Sequence, residues 1–347
     1  MSSEPFVTLI MPVRNEASFI TISLGSIFNQ DYTSSKMEII IADGISQDNT
    51  REIINNLCNG NERFSCKVLD NPKKIVPTGL NIALNEARGN IIIRVDGHCE
   101  IAKDYVRYCV GNILKNNVDG VGGPIETIGD TALSKAIAIG MSSFFGVGGS
   151  AFRIIKDKAM LVDTVPFPAY TREIITKAGP FDEELVRNQD DEYNYRIRKL
   201  GGKILLAPDI RSKYYSRTSM RKLWSQYFQY GFWKVRVLQK HPRQMRLRQF
   251  VPPSFVASLI TTFILAFFTG WGKDLFVVIA GGYILANILA SIITASKKGW
   301  RNLPLLPIVF VALHLSYGSG FLVGLVRFAH RWRDKDIHQR GTESAEK

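Results

Sequence analysis

The sequence is poor in cysteine, with four among 347 residues, at positions 58, 66, 99 and 109. None forms a CxxC pair, and no spacing is typical of a zinc site, so we expect four reduced thiols. The amino-terminal stretch MSSEPFVTLIMPVRNE also lacks the basic start and long apolar run of a signal peptide, because Pro12 and Arg14 interrupt it. The front of the chain is therefore predicted to stay in the cytosol.

The sequence also has fewer acidic than basic residues. The chain has 31 Asp and Glu against 44 Lys and Arg, a formal net charge of +13. This excess favours anionic partners such as phosphates, nucleic acid or an acidic membrane surface. Nucleic acid is disfavoured as a partner, because the basic residues concentrate beside long apolar segments and form no patch within a soluble domain.

Residues 6 to about 125 alternate short apolar runs with longer amphipathic stretches, a pattern typical of strands and helices in turn. The runs are FVTLIMPV, MEIIIAD, CKVLD, IIIRVD and VDGVGGPI. This predicts an α/β fold, a mostly parallel sheet with helices on both faces, which binds its ligands at the carboxyl ends of the strands. Polar clusters fall at those ends: Arg14-Asn15-Glu16, Asp43-Gly44 and Asp96-Gly97-His98.

The Asp96-Gly97-His98 cluster follows IIIRV, a run apolar enough to be a central strand. A carboxylate and an imidazole two residues apart can share one divalent ion, and the imidazole favours Mn²⁺ over Mg²⁺. The alternative is a solvated turn, in which Asp and Gly are common. The metal site is the favoured interpretation, because Asp43 is expected at a neighbouring strand end.

The last hundred residues hold three apolar stretches, each close to the roughly 20 residues needed to cross a bilayer. They cover about 254–272, 275–296 and 303–326, and a basic aromatic helix over 219–240, predicted to contact an anionic membrane surface, precedes them. Lys297, Lys298 and Arg301 follow the second stretch, so the positive-inside rule places that loop in the cytosol. The third stretch also ends in basic residues. Either the carboxyl terminus lies outside, or one stretch is re-entrant or interfacial.

Six segments occur in the order and at the spacing of family 2 glycosyltransferases: PVRNE, IIIADGISQDNT, GLNIALNEARG, RVDGH, AGPFDEEL and QDDEYNYRIRKLGG. Over roughly residues 6–215 the chain resembles this family, which implies the Rossmann-like GT-A fold. With its apolar tail it most resembles the succinoglycan-type glucosyltransferases of bacterial exopolysaccharide assembly. The resemblance implies an inverting enzyme that moves a sugar from a nucleotide-sugar donor to an acceptor.

The resemblance also implies roles for individual residues. The donor-binding residues would be Pro12, Arg14, Asn15, Glu16, Asp43, Asp48 and Asp96. Asp43 would bind the nucleotide base, and Asp96, the first residue of the DxD motif, would hold a divalent metal, Mn²⁺ or Mg²⁺, on the donor diphosphate. His98 stands where many members have the second aspartate, so the site loses one negative charge. Lys73, Lys74 and Arg217 are candidate cations for the leaving diphosphate, with ordinary surface charges as the alternative.

The catalytic base of the family lies in a Glu-Asp pair at a fixed distance before an arginine. Counting back from Arg196 places Asp190 at the aspartate and Gln189 at the glutamate. Asp190 is the favoured base, and Asp191 is the second candidate if the register slips by one. The other interpretation, an acidic first turn that favours the helix dipole, is compatible with either role.

Four regions are predicted: a GT-A catalytic domain over 1–215, a basic interface helix and linker over 216–250, a transmembrane region of about three apolar segments over 251–330, and a polar tail over 331–347. We expect a multi-pass plasma-membrane protein with a cytoplasmic catalytic domain and a lipid-linked saccharide acceptor. The replacement of Glu by Gln189 leaves a catalytically impaired nucleotide-sugar-binding protein as the alternative. A nucleotidyltransferase is disfavoured, because no Gly-rich phosphate loop follows the first strand.

Overall fold

The computed structural model describes residues 4–149, 151–154, 157–216 and 218–333. The chain divides into two compact units, the first formed by residues 1–126 and 151–215 and the second by 127–150 and 216–347. The predicted boundary at 215 coincides with the end of the first unit, but residues 127–150 belong to the second. From residue 334 onward the predicted polar tail lies outside the described residues.

The strands are short, and a helix lies between each pair of consecutive strands from β1 to β4. They are β1 (Val7–Val13), β2 (Met37–Asp43), β3 (Ser65–Asp70), β4 (Ile91–Arg94), β5 (Cys99–Ile101), β6 (Gly120–Gly122), β7 (Ile125–Ile128), β8 (Met160–Leu161), β9 (Ala169–Thr171), β10 (Ile204–Leu206) and β11 (Ser212–Tyr215). The first-unit helices are α1 (Ile20–Phe28), α2 (Thr50–Asn59), α3 (Val76–Glu86), α4 (Tyr105–Asn116), α7 (Ala151–Ile154), α8 (Arg172–Ala178) and α9 (Gln189–Lys199). Those of the second unit are α5 (Ala132–Met141), α6 (Phe144–Val147), α10 (Met220–Lys240), α11 (Val251–Leu265), α12 (Gly270–Lys298) and α13 (Leu306–Arg327).

Within the described residues the main sheet has the strand order β3-β2-β1-β4-β9-β6-β10-β8. Strand β1 pairs in parallel with β2 and β4, with Val13 opposite Asp43 and Ile10 opposite Arg94. Strand β9 runs antiparallel between β4 and β6. The predicted mostly parallel sheet is confirmed. Its central strands β1, β2 and β4 are fully buried, which explains their uninterrupted apolar character.

The core of the first unit lies between this sheet and the helices α3, α8 and α9. Ile10, Ile40 and Ile92 of the central strands pack with Leu80 of α3 and Tyr193 of α9 in one buried cluster. Burial of this apolar surface is the main favourable contribution to folding. It holds the strands in register and so fixes where their carboxyl ends lie.

The cysteines differ from the prediction in one respect. Cys58, near the end of α2, and Cys66 of β3 form a disulfide, with their Cα atoms 5.7 Å apart. The expectation of four reduced thiols is therefore wrong for this pair. Cys99 and Cys109 are free and buried, and burial raises the pKa of both thiols, so they behave as small apolar core residues.

In the second unit, two described helices are long and apolar enough to cross a membrane, α12 with a mean hydropathy of 2.2 and α13 with 1.8. The first predicted stretch, 254–272, is not one helix: α11 ends at Leu265, and α12 begins at Gly270. Its 15 residues extend about 22 Å, less than the roughly 30 Å of a hydrocarbon core. Among the described residues, α12 and α13 are thus the two helices of spanning length, and the number of membrane spans stays a prediction.

Candidate functional site

The three predicted polar clusters lie at one edge of the sheet. Val13 ends β1 directly opposite Asp43, the last residue of β2. On the other side of β1, Val95 continues past the end of β4 and donates its backbone N–H to the Ile10 carbonyl oxygen (3.0 Å). Parallel strands end on the same side of a sheet. Asp96 and His98, which follow β4, therefore lie at the same edge as Arg14 and Glu16, which follow β1.

Hydrogen bonds join the loops after β1 and β2. The Asn15 backbone N–H donates to Ser46 Oγ (3.0 Å), and the Gln47 N–H donates to Asn15 Oδ1 (2.8 Å). Ser46 Oγ in turn donates to Asp43 Oδ1 (2.5 Å). Asn15 has a left-handed φ of 55°, a conformation that asparagine tolerates better than most residues. The two loops consequently form one ordered rim.

Two other predicted donor residues lie along this rim. Pro12 is buried within β1. Arg14 is exposed, and its side chain crosses Gly44 so closely that a Cβ at Gly44 would lie 3.1 Å from Arg14 Cβ and Cδ. A side chain at position 44 would therefore displace Arg14, which explains the glycine after Asp43.

The carboxylates of the rim are oriented by internal partners. Asp43 is 3% exposed and lies 3.4 Å from Arg51, which also pairs with Asp70 at 2.8 Å. Burial would raise the pKa of Asp48, but hydrogen bonds from Thr50 and from the Ala17 N–H lower it. Asp48 is therefore ionised at neutral pH. Contact of either residue with a nucleotide base stays a prediction.

Asp96 is held by a buried arginine. Arg94, the last residue of β4, donates from Nε to Asp96 Oδ1 (2.9 Å) and from its terminal nitrogen to Oδ2 (3.2 Å). Burial would raise the pKa of Asp96, yet the charge and hydrogen bonds of Arg94, with smaller electrostatic contributions from neighbouring residues that include Arg187, lower it. Such two-point pairing fixes the carboxylate plane as well as its charge.

Asp190 lies at the start of α9, as the sequence predicts. The helix is anchored by the buried pair of Glu192 and Arg196, at 2.7 Å, and Arg196 also donates to the carbonyl oxygens of Ala178 and Pro180. Burial disfavours the charge on Arg94, but the carboxylates of Asp96 and Asp190 together raise the Arg94 pKa. Arg94 therefore brings the two carboxylates into one electrostatic group.

His98 is held at one ring nitrogen. Its Nδ1 lies 2.9 Å from Glu16 Oε1, and its ring meets the Tyr214 ring edge-on, with centroids 5.2 Å apart. Within the described residues, no group of three or more His, Cys, Asp or Glu side chains is arranged to hold a metal. Asp96 and His98 therefore offer a divalent ion at most two protein ligands, fewer than its usual coordination number, and a bound diphosphate would have to supply others.

The predicted leaving-group cations find less support. Lys73 forms an exposed 2.6 Å ion pair with Glu183, Lys74 is exposed, and Arg217 lies outside the described residues. The cations that do lie near Asp96 are Arg94 and Arg187, which the sequence-based prediction missed. Arg94 carried a signal, since a basic residue at the end of an otherwise apolar strand is costly to bury without a carboxylate partner.

Sequence comparison identifies relatives. A sequence model described as "Glycosyl transferase family 2" matches residues 8–178. The succinoglycan biosynthesis protein ExoA of Rhizobium meliloti is 30% identical over 93% of this chain and 96% of its own length. A Methanococcus voltae protein named as a dolichyl N-acetyl-α-D-glucosaminyl phosphate diacetamido-dideoxy-glucuronosyltransferase is 29% identical over 93% and 98%.

Among solved structures, the chain is similar to a mannosyltransferase from Pyrobaculum calidifontis in complex with GDP-mannose and Mn²⁺. The TM-score is 0.58 at 16% sequence identity, over 91% of this chain and 88% of that one. At this identity the likeness concerns the fold alone, and it agrees with the parallel sheet whose carboxyl edge carries Asp43 and Asp96.

Proposed function

The chain belongs to glycosyltransferase family 2, and from that premise we propose that it is a membrane-anchored, inverting hexosyltransferase. Its donor is a nucleotide sugar, and its acceptor is a lipid-linked saccharide in polysaccharide or glycolipid biosynthesis. The names of the two curated relatives support this choice, since one belongs to succinoglycan biosynthesis and the other names a dolichyl-phosphate-linked sugar.

In this proposal Asp190 is the general base. It removes the proton from an acceptor hydroxyl while that oxygen attacks the anomeric carbon, and the bond from that carbon to the diphosphate oxygen breaks on the opposite face. Direct displacement of this kind inverts the anomeric configuration. A divalent metal held by Asp96 and His98 would neutralise the charge that develops on the leaving diphosphate. Arg187, whose charge contributes to the lowered pKa of Asp96, would add positive charge near that carboxylate.

The observation that carries the proposal is that Arg94 interacts with the carboxylates of both Asp96 and Asp190. This buried guanidinium binds Asp96 through both oxygens and also interacts with the Asp190 carboxylate. Both carboxylates therefore act electrostatically on one arginine, which supports a site shared by the donor and the base. A displacement needs such a shared site, because the base, the acceptor oxygen and the anomeric carbon must meet within a few ångströms.

Membrane attachment is proposed through the second unit. Helix α12 has 29 residues, and only 11% of its most apolar 18-residue stretch is buried. Length and exposure of this kind are expected of a helix that lies in lipid. The catalytic unit is proposed to face the cytosol, and the basic residues Lys297 and Lys298 at the end of α12 are proposed to contact anionic headgroups. A multi-pass arrangement is part of this proposal.

The roles of the two carboxylates can be separated by substitution. We expect Asp190→Asn to reduce sugar transfer by about 10²–10⁴-fold with donor binding nearly unchanged, because the base acts on the acceptor hydroxyl alone. Asp96→Asn should reduce both. The measurements are release of nucleoside diphosphate from a panel of nucleotide sugars, in the presence of membrane lipid extract, and donor affinity by calorimetry.

Asp191→Asn is the matched control, since it changes the neighbouring carboxylate of the same helical turn. If Asp191→Asn rather than Asp190→Asn abolishes transfer, the base assignment is wrong by one residue. If the unaltered protein binds a nucleotide sugar but releases no diphosphate with any acceptor fraction, the alternative of a catalytically impaired binding protein replaces the enzyme.

A further inference from the structure

The geometry points to a positioning role for Glu16. We propose that its carboxylate holds the His98 ring with Nδ1 protonated, so that Nε2 is the nitrogen offered to the divalent metal on the donor diphosphate. Glu16 would then act through His98, without contacting the nucleotide itself. This inference rests on the proposed function, because it places a metal diphosphate at the carboxyl edge of the sheet.

The first support is the hydrogen bond itself. Glu16 Oε1 and His98 Nδ1 are 2.9 Å apart, and each side chain is about one-fifth exposed, 21% and 19%. An ionised carboxylate can only accept, so Nδ1 carries the hydrogen, and a neutral ring then has its lone pair on Nε2. Metal-binding histidines usually donate their other N–H to a carboxylate or carbonyl in this manner.

The second support is the close packing at Gly97, between Asp96 and His98. A Cβ at Gly97 would lie 3.0 Å from Glu16 Cγ and 3.1 Å from Val13 Cγ1. The Glu16 side chain therefore passes close to the Gly97 backbone, and a larger residue at position 97 would require Glu16 or Val13 to shift by a few tenths of an ångström.

Two further contacts keep the pair in place. The Tyr214 ring meets the His98 ring at an interplanar angle of 70°, which limits rotation of the imidazole. The Glu16 backbone is fixed independently of its side chain: its N–H donates to Thr50 Oγ1 (2.8 Å), and its carbonyl oxygen accepts from Phe19 and Ile20 (2.8 Å each). Shortening the side chain should therefore leave the loop intact.

The test measures metal affinity in the full-length protein in detergent, with Mn²⁺ and inorganic pyrophosphate as the probe and electron paramagnetic resonance of free Mn²⁺ as the readout. We expect Glu16→Ala to weaken Mn²⁺ binding about 10–100-fold, the usual effect of removing a carboxylate partner of a metal-binding histidine. Glu16→Gln retains an acceptor oxygen and should restore most of the affinity. Glu52→Ala, which removes an exposed carboxylate of the nearby α2, is the control and should bind like the unaltered protein.

A double substitution decides whether the effect passes through the histidine. If Glu16 acts through His98, Glu16→Ala should weaken binding no further in a protein that already carries His98→Ala. A further loss in the double variant, or unchanged affinity in Glu16→Ala alone, overturns the inference. Absence of sugar transfer in a protein whose Mn²⁺ binding follows this pattern would instead overturn the proposed function and leave the role of Glu16 standing.

Discussion

Several carboxylates in the first unit are each held by more than one hydrogen bond. Glu38 on β2, 4% exposed, accepts from Thr8 Oγ1 (2.7 Å), from the Arg88 backbone N–H (2.8 Å) and from the Arg88 guanidinium (2.7 Å). Glu192 and Asp96 are bound by arginines in the same two-point manner. A buried carboxylate with several hydrogen-bond donors is stable as an anion. Loss of one donor leaves a buried negative charge that is no longer fully compensated, which destabilises the folded protein.

The Glu38 site predicts a pH-dependent loss of stability on substitution. Burial would raise the pKa of Glu38, but the hydrogen bonds from Thr8 and Arg88 and the Arg88 charge lower it. Its stabilising contribution is therefore complete above the unfolded pKa, about 4.3, and is lost as the pH falls through the lower folded pKa. We expect Glu38→Gln to destabilise the protein by about 1–3 kcal/mol at pH 7 and by much less at pH 3.

The measurement is the midpoint of thermal unfolding at both pH values. Glu86→Gln is the control, because Glu86 forms an exposed ion pair with Lys67 (2.6 Å), a class of interaction worth about 0–1 kcal/mol. An equal loss of stability at pH 7 and pH 3 for Glu38→Gln would contradict a folded pKa below the unfolded one.

Residues at the site differ in how far the sequence alone could predict them. Asp43, Asp96 and His98 were predictable, because each follows a β-branched run that could only be a buried strand. The contact between Glu16 and His98 was not, since the two are 82 residues apart and meet only through the pairing of β1 with β4. The disulfide was missed for a similar reason, as Cys58 and Cys66 face each other only once α2 packs beside β3.

At the scale of elements, the longer ones were the easiest to predict, although the three-residue β6 also lies in a predicted run, VDGVGGPI. The long strands β1 and β2 and the helices α2 to α4 carry enough periodic residues to be recognised. Strands β5 and β9 have three residues each, too few for any alternation to show. Yet β9 changes the sheet, because it enters antiparallel between β4 and β6, whereas the pairs β3-β2, β2-β1, β1-β4 and β6-β10 are parallel.

Helix α13 differs from the sequence-based interpretation of a lipid-facing span. Half of the most apolar 18-residue stretch of α13 is buried, whereas only 11% of the corresponding stretch of α12 is buried. Glycines on α13 allow α10 to pack closely: a Cβ at Gly324 would lie 2.6 Å from the Phe232 carbonyl oxygen, and one at Gly320 would overlap that of Phe228. Small residues four apart let two helix backbones approach in this way. Consistent with this packing, Lys234 and Arg236 of α10 are buried.

This packing predicts a sharp difference between glycines. We expect Gly320→Leu to separate α10 from α13 and to lower stability by about 1–3 kcal/mol or more, the cost of overpacking. Gly281→Ala on α12 should have little effect, because no atom lies within 4 Å of the added Cβ. The comparison is made by thermal unfolding in detergent, and equal midpoints for the two variants would show that the helices do not meet at Gly320.

At the scale of the whole molecule, the second unit is discontinuous in sequence. Helix α5 belongs to it through contacts with α13, as where a Cβ at Gly140 would lie 2.6 Å from Val309 Cγ1. No single cleavage of the chain would therefore separate the two units, because residues 127–150 lie between the two segments of the first unit. This arrangement could not be predicted from residues 127–150, whose mixture of Gly, Ser and apolar side chains gives no clear period.

The discontinuity predicts how truncation fails. A chain ended at residue 250 keeps α5 and α10 but loses α13, which covers both, so it should aggregate without detergent. A chain in which a Gly-Ser linker replaces residues 127–150 and which ends at residue 215 should stay soluble and bind nucleotide sugar. Size-exclusion chromatography and donor calorimetry distinguish them, and a monodisperse 1–250 chain without detergent would contradict the role given to α13.

Gly140 and Val309 meet in the folded protein but lie far apart in the sequence, which sets an order of events during synthesis. Helix α5 leaves the ribosome before α13 exists, and at about 5–20 residues per second the wait is roughly 10 to 30 s. During that time α5 can contact α6 but not α13, while the strands β9 and β10, which follow α5 in the sequence, are synthesised and join the sheet. Nascent chains should accordingly be vulnerable in this interval, and a chaperone or the membrane itself would be needed to shield α5 until α13 emerges.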